Sequence, residues 1–301
     1  MKLQLTLRKR LVLLVVSAMV PLLGLSVFNA EVDSAAAISR ATDNLNFAVS
    51  LAVSNQQQVT ETAHQVLIAM THLPGIREGN NTHCDRHLKE LTRQLPSYAN
   101  LGIASAQGHV LCSGVAGSPP VYVGDRSYFR DAVASRDFVA GEYILGRMSG
   151  KPSVAFALPM LDAKGSVSFV AFAAFDLARM AASLAAVQLP AGAGLGIHDR
   201  HGTLLAASPG LPLQVGQKAA SPVMQEAVRT RSASVREGPD KTGQQRLWVY
   251  RPTSPDALTA FVVAVSMDRR LVVGPSQDKL WLELAGLALV ALLGGWLAWV
   301  L

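Results

Sequence analysis

The chain has 301 residues, of which 50% are hydrophobic and 16% charged, with a formal net charge of +6. That length holds about two domains, and the composition is too apolar for a disordered chain. Lys2, Arg8, Lys9 and Arg10 carry most of the surplus, with no acidic residue before Glu31; a cluster this short argues against a nucleic-acid-binding face, which needs its basic residues spread along a stripe or groove.

The basic cluster, residues 1–10, reads as a cytoplasmic flank. Residues 11–30, LVLLVVSAMVPLLGLSVFNA, form an uncharged run of 20 residues, long enough to cross the hydrocarbon core as a helix. A cleaved signal peptide is the competing reading, since Ser34 and Ala36 offer small residues for cleavage, but such apolar cores are usually shorter. Residues 280–301 give a second crossing: the last 18 residues carry no charge, and Trp281, Trp296 and Trp299 stand near the ends, where indoles anchor at headgroups. Two crossings place residues 31–279 outside the cytoplasm and lead us to expect a longer protein continuing beyond Leu301.

Residues 31–71 contain no Gly or Pro, so one long helix is expected over 31–75, stopped by His72, Leu73, Pro74 and Gly75. Ile38, Leu45, Ala52, Val59 and Val66 recur every seven residues, with Thr42, Val49, Gln56, Ala63 and Met70 as companions. That stripe serves either a dimer seam or packing on the chain's own domain. The two cysteines, Cys84 and Cys112, lie in the segment placed outside the cytoplasm, which favours a disulfide. The alternative is a metal site in which the clustered His83, Cys84 and His87 are completed by the second sulfur, although zinc sites usually take ligand pairs from both ends and Cys112 has no second ligand near it beyond His109. Asn80, Asn81 and Thr82 form a glycosylation-type sequon.

An internal repeat organises the rest. LGIASAQGHVL (101–111) recurs as LGIHDRHGTLL (195–205) at an offset of 94, DAVASR (131–136) as EAVRTR (226–231) at 95, and Ser149–Gly150 as Thr242–Gly243 at 93. Three landmarks in one order at near-constant spacing imply two copies of one module, 76–189 and 190–279. Each copy reads as strand, tight turn, strand, helix and a three-stranded meander; in the first the meander is GEYILGRM, PSVAFALPML and VSFVAFAAFD. The fold class is therefore α+β, with two antiparallel-sheet modules after a long helix.

The chemistry gathers at GDRSYFRDAVAS (124–135). Arg126 beside Tyr128 and Phe129, at the mouth of a sheet, can clamp a small carboxylate through paired hydrogen bonds in a water-excluding pocket. The plainer alternative pairs Arg126 with Asp125 or a helix end. Tyr143 and Arg147 are expected on one strand and one face, as secondary pocket residues. Asp176, ahead of LARMAASLA, reads as a helix N-cap. The second copy has Ser221, Pro222, Val223 and Met224 where the first has Arg126 to Phe129, so the first is expected to sense and the second to relay. No nucleophile–base set, metalloprotease motif or phosphate loop suggests catalysis. The polar run His198, Asp199, Arg200, His201 before Gly202 reads as a solvated hairpin turn.

Taken together, the anchor, the long helix, the tandem modules, DRSYFRDAV, a meander ending in Asp176 and the second crossing resemble the double Cache (dCache, tandem PAS-like) sensor regions of bacterial transmembrane receptors, over about residues 31–279. The resemblance implies two PAS-like modules in the periplasm, a two-pass inner-membrane topology and a ligand in the membrane-distal module. It also implies a cytoplasmic output: a diguanylate cyclase, to which the Cys84–Cys112 pair beside YANLGI is most similar, or else a phosphodiesterase, a histidine kinase or a chemotaxis signalling domain. In its amino-acid-binding subset an arginine, here Arg126, takes the carboxylate, neighbouring aromatics take the ligand backbone, and an aspartate, here Asp176, takes the amine. Tyr128 and Phe129 stand where that subset commonly has Trp and Tyr. We therefore expect a homodimeric sensor for an amino acid or organic acid, with no cofactor and no metal. A ligand-independent module that binds a partner protein is the alternative.

Overall fold

The computed structural model describes residues 7–72, 81–115, 121–209, 211 and 213–300. Leu73, Pro74 and Gly75 of the expected helix stop, Asn80 of the sequon, Lys2 and Leu301 lie outside the described residues, as do the side chains of Arg8, Lys9, Arg10 and Trp299. The chain forms two compact units, Met1–Asn44 with Asp268–Leu301, and Leu45–Met267.

In the first unit, the early part of helix α1 (Leu7–Thr71) and helix α6 (Arg269–Val300) are long, apolar and bare. Their most hydrophobic stretches have no residue buried in the chain. Val20, Leu25 and Phe28 on α1, and Trp281, Leu282, Leu292 and Trp296 on α6, are all exposed. Lys279 pairs with Asp33 at 2.9 Å.

The second unit contains the repeat. After α2 (Asn81–Gln94), the first module runs β1 (Tyr98–Ser105), β2 (Val110–Ser113), α3 (Ser127–Ser135), β3 (Val139–Leu145), β4 (Pro152–Leu161), β5 (Val167–Asp176) and α4 (Leu177–Ala185). The second runs β6 (Ala193–His198), β7 (Leu204–Ala207), α5 (Pro222–Thr230), β8 (Ser234–Pro239), β9 (Gln245–Pro252) and β10 (Val262–Asp268). The two five-stranded antiparallel sheets have the same order, β2-β1-β5-β4-β3 and β7-β6-β10-β9-β8. The sequence landmarks are backbone landmarks. Arg136 and Arg231 end α3 and α5 in the left-handed region at φ 57° and 49°. Gly150 and Gly243 make the matching meander turns at φ 67° and 85°, a conformation that favours glycine.

The long helix closes one side of this unit. Leu45, Val49, Ala52, Gln56, Ala63 and Met70 are all buried, so much of the seven-residue stripe packs on the chain's own sheets. Gln57 Nε2 donates to the Thr253 carbonyl at 2.6 Å, and Arg251 donates to Ser50 Oγ at 3.0 Å. Phe47 and Leu51, on another face, remain 74% and 50% exposed. Cys84 and Cys112 are joined in a disulfide that fastens α2 to β2, which removes Cys84 from the alternative metal set.

One expectation is overturned at the junction of the modules. The His198–His201 run does form a hairpin turn, but His198 and Asp199 are only 3% and 1% exposed. Asp199 Oδ2 accepts the Tyr143 amide of the first module at 3.0 Å. Arg200 pairs with Asp131, and His201 Nε2 lies 3.0 Å from Glu142. A polar hairpin looks solvated in sequence because the surface it docks on lies more than fifty residues away.

Candidate functional site

Arg126 is the N-cap of α3, with extended backbone at φ −79° and ψ 141° and no side-chain cap. The helix it begins turns Tyr128 and Phe129 inward, where they are 3% and 5% exposed. Burial raises the Tyr128 hydroxyl pKa well above the ordinary tyrosine value. Asp125 does not pair with Arg126. It takes both guanidinium arms of Arg147, at 2.7 and 2.6 Å, and this bidentate bond holds its carboxyl pKa at about 2. Arg147 also donates to the Tyr122 carbonyl. Arg126 is more lightly held, with Nη2 donating to the Leu145 carbonyl at 3.3 Å.

Arg126, Tyr128 and Arg147 line one cavity with Asn100, Phe172 and Ala174. Its volume is about 30 Å³, room for a water or two. The cavity is small because of Phe172, whose Cζ would lie 2.2 Å from a Cβ placed on Gly102. Glycine there lets the ring lie flat across the sheet.

The remaining candidates are placed elsewhere. Phe129 belongs to the core behind the cavity. Asp176 caps α4, accepting the Ala178 amide at 2.9 Å, and its other oxygen meets Lys151 Nζ at 3.2 Å. Tyr143 and Arg147 do not share a strand face: β3 ends at Leu145, and Arg147 lies in the turn beyond it. Tyr143 lines a separate cleft with Glu142, Asp199 and His201. Among the described residues no group of three His, Cys, Asp or Glu could hold a metal ion.

A larger cavity, about 230 Å³, lies in the second module. Its walls include Gly196 and His198 of β6, Arg246 and Trp248 of β9, Ala264 and Ser266 of β10, and Met224 of α5. Ala264 stands opposite Gly196, as Phe172 stands opposite Gly102. The two glycines are equivalent in the repeat, so a phenylalanine in one copy is an alanine in the other. Desolvation pushes the His198 pKa down to about 4, against the opposing effects of Asp199 and a backbone hydrogen bond at Val262. Sequence reasoning passed over this cavity because it looked for the charged set of the first copy. The small residues that open the second copy become visible only when the two strands are put in register.

No family model matches the chain, and none of the curated proteins matches it. Solved structures do. The extracellular domain of rpHK1S-Z16, described as a histidine kinase, is 21% identical, with a TM-score of 0.61 over 76% of this chain and 95% of that one. The ligand-binding domain of the Pseudomonas fluorescens chemoreceptor CtaA, in complex with L-leucine, is 16% identical, with a TM-score of 0.59 over 78% and 97%. That of the Pseudomonas aeruginosa PAO1 amino-acid chemoreceptor PctC, in complex with GABA, is 19% identical, with a TM-score of 0.57 over 75% and 99%. At these identities the likeness establishes the fold: the tandem PAS-like architecture of extracellular sensor domains.

Proposed function

We propose that this chain is the ligand-sensing and membrane-spanning region of a bacterial receptor, not an enzyme. The observation that carries the reading is the tandem PAS-like fold, built from two sheets of identical order and shared with sensor domains. The bare apolar faces of α1 and α6 support two crossings of the inner membrane, with residues 31–279 in the periplasm. β10 runs into α6 without an intervening residue, a direct route from the second module to the membrane. The exposed Phe47 and Leu51 on α1 suit a homodimer contact.

The ligand we assign to the first module is a small carboxylate, of the amino-acid or organic-acid class, held by Arg126 with Tyr128 and Arg147 as walls. The cavity of about 30 Å³ is too small for such a ligand, so admitting it requires its lining, which includes Phe172 and the segment Gly146 to Ser149, to move. A preference for the displaced arrangement would pass through the Tyr143–Asp199 junction to the second module. The output is a cytoplasmic domain such as a diguanylate cyclase; histidine kinases and chemoreceptors, the sources of the similar structures, stand beside it.

The test is thermal unfolding of the full chain in lipid nanodiscs against amino acids and organic acids, with Arg126→Ala as control. A ligand at 100 times its Kd adds about 2.7 kcal/mol. A shift that Arg126→Ala abolishes supports the reading. Signalling that survives Arg126→Ala, with no compound shifting either protein, favours a module that binds a partner protein.

A further inference from the structure

We infer that the second module holds a ligand site of its own, for a small carboxylate with a compact apolar body, an aryl-carboxylate above all. The cavity is a built feature of the fold, because the same sheet position is filled in the other copy. Phe172 lies across Gly102 in the first module, while Ala264 faces Gly196 in the second. Replacing a phenyl ring by a methyl group leaves about 230 Å³ beside Trp248 and Met224. An engineered apolar cavity of about 150 Å³ holds benzene, so this volume suits a ring with a short acidic arm.

One polar feature fixes the ligand's acidic end, and a buried ring bounds the other. At one end Arg246 is oriented by the strand beside it: its Nε donates to Ser266 Oγ at 3.0 Å and its Nη2 to the Ser266 carbonyl at 3.2 Å. A guanidinium fixed in this way is prepared for an anion. Lys218 and Lys241 line the same cavity. The lone acid there, Asp240, is engaged by its own turn through the amides of Thr242 and Gln244 and the Thr242 hydroxyl. Asp240 keeps its negative charge, and Arg246, Lys218 and Lys241 outnumber it in the lining, so the net charge around the cavity is positive.

At the other end stands His198, buried and with no hydrogen-bond partner for Nδ1. That nitrogen is closed off from the cavity surface, so His198 meets the ligand as a wall of the cavity through its ring. Gly194, beside Ser266, and His198 are four residues apart on β6, about 13 Å at strand spacing. A para-substituted aryl acid fits between them. Since His198 is neutral above about pH 4, it adds no charge at neutral pH, and selection for the anion falls to Arg246.

The experiment is isothermal titration of the full chain in nanodiscs with phenylacetate, 4-hydroxyphenylacetate and the neutral isostere phenylacetamide, with empty nanodiscs as blank. Phenylacetate is expected to bind saturably, 4-hydroxyphenylacetate no more tightly, and phenylacetamide at least about tenfold more weakly, the worth of a charge-assisted hydrogen bond. Arg246→Gln should weaken phenylacetate by a similar factor without changing phenylacetamide. Ala264→Phe, which copies the first module's own filling, should abolish binding; Ala264→Leu fills less and provides a second folded variant. Arg126→Ala removes the first module's clamp, so phenylacetate binding that persists in it belongs to the second module. If Ala264→Phe binds phenylacetate normally, or none of the three compounds binds, the inference fails. Binding lost in Arg126→Ala and kept in Ala264→Phe would also overturn it, by placing the ligand in the first module, and would leave the proposed sensor function standing.

Discussion

Asp199 is the residue whose replacement most directly tests how the two modules communicate. Its carboxylate is 1% exposed as a residue and makes three bonds: Oδ1 accepts the amides of His201 and Thr203 at 2.9 and 2.8 Å, and Oδ2 accepts the Tyr143 amide at 3.0 Å. The first two shape the hairpin, and the third crosses to the first module. Asp199→Asn can keep Oδ1 in place but presents an N–H to the Tyr143 amide, donor against donor. A buried amide left without its charged acceptor costs about 1–3 kcal/mol. Asp199→Ala removes all three bonds, and about 3–5 kcal/mol is expected once partial rehydration of the turn is allowed for. The neighbouring Arg200–Asp131 and His201–Glu142 pairs persist in either variant, so the junction loosens without separating. Urea unfolding of the full chain measures the loss, and hydrogen exchange at the Tyr143 amide localises it. An Asp199→Asn protein within 0.5 kcal/mol of the parent, with the Tyr143 amide still protected, would refute the reasoning.

Three further outcomes follow from the same geometry. Replacing Cys84 and Cys112 by serine frees a loop with a sequence separation of 28, and should lower stability by about 3 kcal/mol by loop entropy, read as a fall in Tm. The His198 pKa is lowered in the folded chain to about 4 from its ordinary 6.5, so the unfolded chain binds more protons between those values. Its contribution is complete above about pH 6.5 and is lost as pH falls toward 4, on the order of 3 kcal/mol; His198→Gln should flatten that slope in a pH series of unfolding curves. Asp176→Ala removes the α4 cap and should cost about 1 kcal/mol, with Lys151, 58% exposed, adding little; a loss several times larger in thermal unfolding would show that the carboxylate does more than cap.

The frame was legible in the sequence because each of its determinants is local. Uncharged runs of membrane length announced α1 and α6, and glycines and αL positions at constant offsets announced the duplicated sheet, since a turn that needs φ above zero restricts its residue wherever it recurs. Of the candidate site residues, one cavity brings together Arg126, Tyr128 and Arg147. Tyr143 and Arg147 part because β3 ends at Leu145, and strand alternation does not extend into the turn that follows. Asp199 looked solvated because its partner is the Tyr143 amide, on another module. The second cavity escaped notice because an absence of side chains has no motif.

That last point bears on how such a pair of modules divides its work. Both copies have the same strand order, and both place a glycine at the same point on the first strand. What differs is the residue across from it. With Phe172 there, the first module keeps about 30 Å³ beside a lightly held arginine; a ligand of the class proposed for it is larger than that, so its entry would be coupled to movement. With Ala264 there, the second module keeps about 230 Å³ beside an arginine already fixed by Ser266, so a ligand can enter without rearranging its surroundings. A ligand shifts an equilibrium only by its differential affinity for the two states. On the proposed reading, a first site that moves to bind is suited to switching. The second, preformed next to the strand that runs into α6, is suited to setting the baseline from which the switch departs.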